Sequence, residues 1–454
     1  MTERIEDRAL RRGLGPWASA SIVVGTIIGT GVFLKSAVMS QLGGSPGWVL
    51  AAWAAAGLLS LFGAMTYAEL GGMFPSAGGE YIYLRRGYGP FMGYLYAWNR
   101  FWIATPASIA AYAVGSATFL GTALGYHDDS TVKLIAIGLT VVFTAINCLN
   151  VRAGGQLQTV LTAMKVVMIL GLAAGALATP HGSWGNLGGG GGAFPGWSAF
   201  GAMVLAALWA YDGWNNLPMA GSEIRDPVKN LPRATVIGSL AVLAIYALVN
   251  LGYFHALPFA EIVTSRSDAY QEAAPVAAKV AAQFLGGPVQ ALLAVAMTIS
   301  ALSAMNGSML TGARVPYAVA RDGLAPAALA RLSASGHVPT VAVIVQGGLS
   351  CVLALSGSFD QLTDAVMFAS WLFYALNAGS VLALRRREPE RVRPFRVPGF
   401  PVVPVVYVAL AILLLVNTVW TAPGPSALGL GMTALGAVVY LRFLRGKARP
   451  LVDP

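Results

Sequence analysis

Gly25-Thr-Ile-Ile-Gly-Thr-Gly31 interrupts one long apolar segment of this chain, and Trp209-Ala-Tyr-Asp-Gly-Trp-Asn-Asn216, followed by Pro218, interrupts another. Glycine weakens a helix, and polar side chains are costly in the middle of a membrane unless they have partners. Both stretches therefore predict a helix that is broken near mid-membrane. Because hydrocarbon contains no water, such a break is tolerated only where it lines a cavity. For Gly25 and Gly29 alone, close helix packing is an equally good interpretation.

The composition indicates an all-α integral membrane protein. Of the 454 residues, 56% are hydrophobic and only 11% are charged, and the mean hydropathy is +0.66, whereas soluble domains carry about 25% charged residues. The net charge of +10 comes from short basic clusters between apolar runs, which does not indicate a nucleic acid partner. Two cysteines and four scattered histidines predict no disulfide framework, metal site or cofactor, and no catalytic constellation indicates an enzyme.

Apolar stretches long enough to cross a bilayer recur along the chain and give about twelve predicted spans. Most Lys and Arg residues fall in the connections on one side, and the other side has only Lys133, Arg266 and Lys279. The positive-inside rule therefore predicts a multi-pass protein of the cell (inner or plasma) membrane, in contact with lipid, with both termini in the cytoplasm. The predicted extents are 14–39, 46–72, 90–122, 131–150, 155–178, 197–223, 233–256, 284–312, 338–356, 361–384, 402–421 and 426–444.

The two broken segments are the first and the sixth, as expected for corresponding elements of two five-helix halves in an inverted repeat. An interrupted helix offers free N–H groups at one half-helix and free C=O groups at the other. The N–H end attracts a carboxylate and the carbonyl end attracts an ammonium. A free α-amino acid carries both groups, so it is the ligand that the pattern predicts.

Lys165 lies in the middle of the fifth span and is flanked by apolar residues on both sides. About two helical turns separate it from either end, so snorkelling to the interface is strained. A buried ammonium must find acceptors or lose its proton. We therefore expect Lys165 to have a gating or coupling role.

Four patches resemble the amino acid–polyamine–organocation superfamily, and within it the L-type amino acid transporters and the related bacterial serine/threonine exchanger. They occur in the family's order and spacing over most of the chain. The patches are Gly25–Phe33, Phe74-Pro-Ser-Ala-Gly-Gly-Glu-Tyr-Ile-Tyr83, Ala210-Tyr-Asp-Gly-Trp-Asn215 running to Glu223–Pro227 and Leu231–Arg233, and Asn306-Gly307 with Arg314–Gly323.

The resemblance implies one transporter domain over residues 1–454 with the LeuT-like fold. Its first five-helix repeat would cover 14–178, its second, inverted repeat 197–384, and two additional helices 402–444. Mammalian relatives bind a heavy chain through a cysteine between spans three and four. The corresponding loop here has no cysteine, so no disulfide-linked heavy chain is expected.

The resemblance also implies roles for single residues. Thr30 and Gly31 would offer backbone N–H groups to the substrate carboxylate. The carbonyl of Ile27, together with carbonyls around Trp209, Ala210 and Asp212, would receive the α-amino group. Trp209 matches the aromatic gate position. The ammonium of Lys165 would contact the carbonyl of Gly25 where related symporters hold sodium, which argues against sodium coupling.

Several charged residues lie near span ends. Lys35, at the outer end of the first span, is expected to be solvated, with an outer-gate role as the alternative. Glu69, Glu80 and Glu223 lie near Arg85, Arg86 and Arg225 at inner helix ends. Solvated, weakly interacting pairs are the expectation there, and an inner gate is the alternative.

The sequence thus predicts a sodium-independent transporter of neutral L-amino acids that works as an exchanger by alternating access. The nearest alternative is a proton-coupled symporter in which Lys165 titrates. A sensor that binds an amino acid without carrying it is a more remote alternative, because the termini leave no room for a signalling domain.

Overall fold

The computed structural model describes residues 10–451 except 268, 271, 286–288, 357, 358 and 422, and it leaves the side chains at 359–369, 421 and 425 undescribed. Within that part the secondary structure is helical, with two isolated bridges, Leu14–Ile224 and Ala77–Ala220. The α-helices are α1 Pro16–Ile27, α2 Gly31–Gly43, α3 Pro46–Met73, α4 Glu80–Tyr88, α5 Pro90–Asn99, α6 Thr105–Leu124, α7 Asp129–Leu149, α8 Val151–Ala178, α9 Trp197–Ala210, α10 Pro227–Ala256, α11 Phe259–Val263, α12 Val276–Ala281, α13 Val289–Gly312, α14 Arg314–Arg321, α15 Thr340–Ser356, α16 Phe359–Arg387, α17 Val402–Thr421 and α18 Pro423–Val439.

Nine helical segments in the described part of the chain are long and apolar enough to cross a membrane. The shorter apolar helices α9 and α15, together with α16, correspond to the other three predicted spans. These elements confirm the expected all-α membrane architecture. The nine long segments are Pro16–Gly43, Pro46–Met73, Pro90–Leu124, Asp129–Leu149, Val151–Ala178, Pro227–Ala256, Val289–Arg321, Val402–Trp420 and Ser426–Leu444.

The first span lies at the centre of the bundle. Within the most apolar 18 residues of this span 78% of the residues are buried, compared with 17% in the corresponding stretches of the spans formed by α17 and α18. The first span packs against α8, α10 and α13, and α17 packs mainly against α16. The interrupted first span is therefore enclosed by protein, as a broken backbone in a bilayer requires.

The third span contains an unpredicted π-helix, Arg100–Ala104, between α5 and α6. Thr105 donates its N–H to the carbonyl of Arg100, five residues back, and Pro106 follows at the start of α6. Proline has no N–H to donate, so the α-helical ladder cannot continue unchanged through this point. The wider turn gives Arg100 a buried position inside the bundle.

Two of the longer connections between the predicted spans contain short helices. The glycine-rich stretch 181–196 contains the 3-10 helix Trp184–Gly188, and the segment 258–283 holds both α11 and α12. Asp128 caps α7 by accepting the N–H of Thr131 at 2.8 Å. That hydrogen bond from Thr131 holds the pKa of the Asp128 carboxyl below its ordinary value.

Candidate substrate site at two interrupted helices

The first span is interrupted between α1, which ends at Ile27, and α2, which begins at Gly31. Ile28 has an extended backbone, with φ −72° and ψ 93°. The first N–H groups of α2 have no acceptor inside the helix and carry the positive end of its dipole. The Thr30 hydroxyl is buried and finds no hydrogen-bond partner among the described residues. This end of α2 can bind an anionic group.

The sixth span is interrupted after α9, which ends at Ala210. Five turn residues follow, then the 3-10 helices Leu217–Met219 and Gly221–Glu223. The predicted span 197–223 is therefore a single half-helix followed by tight turns. Pro218 removes one backbone donor, and Gly213 has φ +124°, which an α-helix cannot accommodate.

The two breaks contact each other directly. The Thr26 hydroxyl donates to the Gly213 carbonyl at 2.9 Å. A Cβ at Gly213 would lie 2.7 Å from the Thr26 carbonyl carbon, and a Cβ at Gly31 would lie 2.5 Å from the Cβ of Ala210. Only glycine fits at these two positions, so the glycines let the interrupted backbones meet.

Tyr246 of α10 bridges the breaks and was not identified from the sequence. Its hydroxyl lies 3.0 Å from the carbonyl oxygen of Ala210 and 3.3 Å from that of Ile27. Both carbonyls are predicted acceptors for a substrate ammonium. A carbonyl oxygen has two lone pairs, so each can accept a second donor. A tyrosine among apolar residues looks like an ordinary core residue, and no sequence pattern indicates this role.

Lys165 is fully buried, and its ammonium group has three carbonyl partners. The Nζ atom donates to Gly25 at 2.8 Å, to Ile28 at 2.5 Å and to Ser300 at 2.9 Å. The predicted contact with Gly25 is present, and the other two acceptors come from the break itself and from α13. The Ser300 hydroxyl donates to Gly29 at 2.9 Å. Lys165 and Ser300 thus occupy carbonyls that the first break exposes.

Trp209 lies next to the first break and in contact with the side chain of Lys35. A Cβ placed on Gly31 would lie 3.2 Å from an atom of the Trp209 ring. The Lys35 ammonium lies 4.9 Å from the centroid of the Trp209 ring. Lys35 is half-buried, and this cation–π contact places its head group beside the predicted gate residue, which favours the outer-gate alternative over a freely solvated cation.

Asp212 lies inside the sixth break, and the Tyr374 hydroxyl donates to its carboxylate at 2.7 Å. Tyr374 belongs to α16, so this bond connects the break with the tenth span. The contact engages one carboxylate oxygen and orients the turn.

Glu69, Glu80 and Glu223, which were predicted at inner helix ends, are buried, and the expectation of solvated pairs with Arg85, Arg86 and Arg225 is wrong. The ionic partners of Glu69 and Glu223 come from remote parts of the sequence. Glu69 binds Arg385 at 2.7 Å, and Glu223 binds Arg314 at 2.6 Å. Glu80 accepts from Tyr67 at 2.6 Å. A carboxylate that is removed from water must have such partners.

Comparison with known proteins agrees with this architecture. Residues 14–441 match the model of a family described as amino acid permease. The serine/threonine exchanger SteT of Bacillus subtilis (strain 168) is 32% identical over 453 residues, which cover 98% of this chain and 99% of that protein.

Two transporters of Homo sapiens are similar over most of their length. The b(0,+)-type amino acid transporter 1 is 31% identical over 91% of this chain and 84% of its own length. The cystine/glutamate transporter is 29% identical over 97% of this chain and 87% of its own length. Together with the family match, these similarities show that the chain belongs to the amino acid permease family and is a multi-pass membrane transporter of amino acids, not an enzyme.

Proposed function

We propose that this protein is a sodium-independent exchanger of neutral L-amino acids that works by alternating access. The observation that carries the proposal is the position of Lys165, whose ammonium binds the carbonyls of Gly25, Ile28 and Ser300. A sodium ion at the same oxygens would meet a like charge at close range, which costs several kcal/mol in a partly dry interior, on the order of 4. The built-in cation therefore supports transport without sodium.

The proposed substrate site uses the two breaks. Thr30 and Gly31 bind the carboxylate through their backbone N–H groups, and the carbonyls of Ile27, Ala210 and the adjacent turn at Asp212 bind the α-amino group. Trp209 closes over the bound substrate as the gate. Gly25 and Lys165 couple the first break to the fifth span.

Exchange of neutral substrates is the proposal because the relative named a serine/threonine exchanger is similar over the whole chain. The Lys165 ammonium, bound to three backbone carbonyls, supplies a positive charge from the protein itself, so transport needs no cation from solution.

The topology remains a proposal from the sequence. Two inverted repeats cover 14–178 and 197–384, and 402–444 form two additional helices. The positive-inside rule supports cytoplasmic termini and a location in the cell membrane. Residues 1–9 and 452–454 lie outside the described part. We further propose that no heavy chain is linked by a disulfide, because the loop between spans three and four has no cysteine.

Reconstitution in liposomes tests the proposal. Uptake of radiolabelled serine, alanine and leucine is measured with and without internal amino acid, after sodium removal, and with acid outside. We expect uptake to require internal amino acid and to be indifferent to sodium. Strong uptake into empty vesicles driven by acid outside would replace exchange with proton symport, in which Lys165 is the titrating group.

A further inference from the structure

The loop between spans two and three docks onto the turns that follow the sixth break. Gly78 donates its N–H to the Met219 carbonyl at 2.9 Å. Ala77 donates its N–H to the Ser222 hydroxyl at 2.8 Å. These contacts join two of the sequence patches that carry the family resemblance.

Gly79 brings the same loop into backbone contact with the sixth span. Its φ is +45°, and a Cβ there would lie 2.7 Å from the carbonyl carbon of Pro218. A side chain at this position would force the loop away from the turn. The loop Pro75–Glu80, which we call the inner clamp, therefore fits closely on the segment after the break.

Glu80 ends the inner clamp and connects four elements. Its carboxylate accepts hydrogen bonds from Tyr67 at 2.6 Å, from Asn215 at 3.4 Å, from Asn377 at 3.5 Å, and from Tyr96. All five residues are buried. Four donors thus converge on the two carboxyl oxygens, which together have enough lone pairs to accept all of them. Among them, Asn215 belongs to the broken part of the sixth span.

The next residue, Asn216, is bound by a positively charged side chain. Arg100, on the π-helix of the third span, donates to the side-chain oxygen of Asn216 at 2.5 Å. Consecutive residues after the break are thus anchored by a carboxylate and a guanidinium from two other elements. Asp212 and Ala210, which belong to the proposed substrate site, lie only a few residues before this double anchor.

We propose that Glu80 is a positioning residue for substrate binding. Through Asn215, and with the rest of the inner clamp, its carboxylate holds the sixth break in the conformation that binds the amino acid. The inference rests on the proposed substrate site and adds a residue that does not touch substrate. Without the anchor, the turn at 211–216 samples other conformations, and ordering it again weakens binding.

Glu80→Gln tests the role of the carboxylate with little change of shape. One oxygen becomes an amide donor that faces the donors of Asn215 and Tyr96. We expect KM for exchange to rise about tenfold, with maximal turnover changed less than about threefold. Glu69→Gln is the matched control, since Glu69 is equally buried but binds Arg385 and the Val397 N–H, away from both breaks. It should leave KM at the wild-type value.

A double-mutant cycle tests whether Glu80 acts through Asn215. Adding Asn215→Ala to the Glu80→Gln protein should change KM less than about twofold, because the coupled interaction is already lost. Independent, multiplying effects would overturn the proposal, as would an unchanged KM in folded Glu80→Gln protein or an equal rise in Glu69→Gln.

A milder variant covers the case in which Glu80→Gln protein does not fold. Ser222→Ala removes only the hydroxyl that Ala77 binds, and we expect KM to rise about two- to threefold. A wild-type KM in that variant would overturn the proposed role of the inner clamp in substrate binding. If the wild-type protein itself carries no amino acid, the proposed function fails, whereas active wild-type protein with insensitive variants refutes this inference alone.

Discussion

At the scale of single residues, the account depends most on Lys165. Its depth in an apolar span was visible in the sequence, and the resemblance supplied Gly25 as a partner. The acceptors Ile28 and Ser300 could not be predicted, because their carbonyls lie 137 and 135 residues away along the chain. Backbone carbonyls carry no side-chain signature, so a sequence does not reveal which of them will face a buried ammonium.

Lys165→Met should slow exchange at least about tenfold, because each buried carbonyl left without a donor costs about 1–3 kcal/mol. Initial rates in liposomes between pH 5 and 9, on the order of the range where ionisable groups titrate, provide the measurement. Lys133→Ala is the control, since that lysine forms an exposed pair with Asp129 at 2.8 Å. If the Lys165→Met protein exchanges amino acids at the wild-type rate at every pH, Lys165 has no role in transport.

Trp209→Ala should raise KM about tenfold, because the aromatic surface next to Gly31 is lost at the site. Lys35→Met should have a smaller effect of about two- to fivefold, as expected for a half-buried cation–π contact. Kinetics of exchange measure both. Trp17, which is 82% exposed at the start of α1, provides the control substitution Trp17→Ala. Equal kinetics for Trp209→Ala and wild type would remove Trp209 from the site.

At the scale of elements, the break in the first span was predicted to within a few residues, because glycine and threonine at mid-membrane depth are unusual. The sixth break was located equally well, but its continuation as 3-10 turns was not foreseen. Hydropathy windows average over local backbone geometry. They cannot separate a helix from tight turns of the same composition, and they equally missed the π-helix at Arg100–Ala104.

Gly213→Ala should abolish most exchange activity, because φ +124° and a Cβ 2.7 Å from the Thr26 carbonyl carbon leave no room for a methyl group. The two breaks would have to separate. Gly201→Ala, on α9 of the same span, is the matched control, since a Cβ there meets nothing within 4 Å. Exchange rates are compared at equal amounts of folded protein. An active Gly213→Ala protein would show that contact between the breaks is dispensable.

At the scale of the whole molecule, hydropathy predicted where the long apolar helices of the described part lie, since bilayer thickness fixes their length and composition. The ionic contacts between segments were not predictable. Glu69 and Arg385 are 316 positions apart, and Glu223 and Arg314 are 91 apart. Only the folded chain brings such groups together, which is why buried inner carboxylates looked like surface charges in the sequence.

The central claim for the whole molecule is that the two interrupted helices together bind the two charged groups of an amino acid. Competition of serine, serine methyl ester and N-acetylserine against radiolabelled serine exchange in liposomes tests it most directly. The ester lacks the carboxylate for the Thr30 end, and the acetylated compound lacks the ammonium for the Ile27 and Ala210 carbonyls. Each derivative should compete at least about tenfold more weakly than serine, since each loses charge-assisted hydrogen bonds. Competition by either derivative as strong as that of serine would contradict recognition of both charges by the two broken helices.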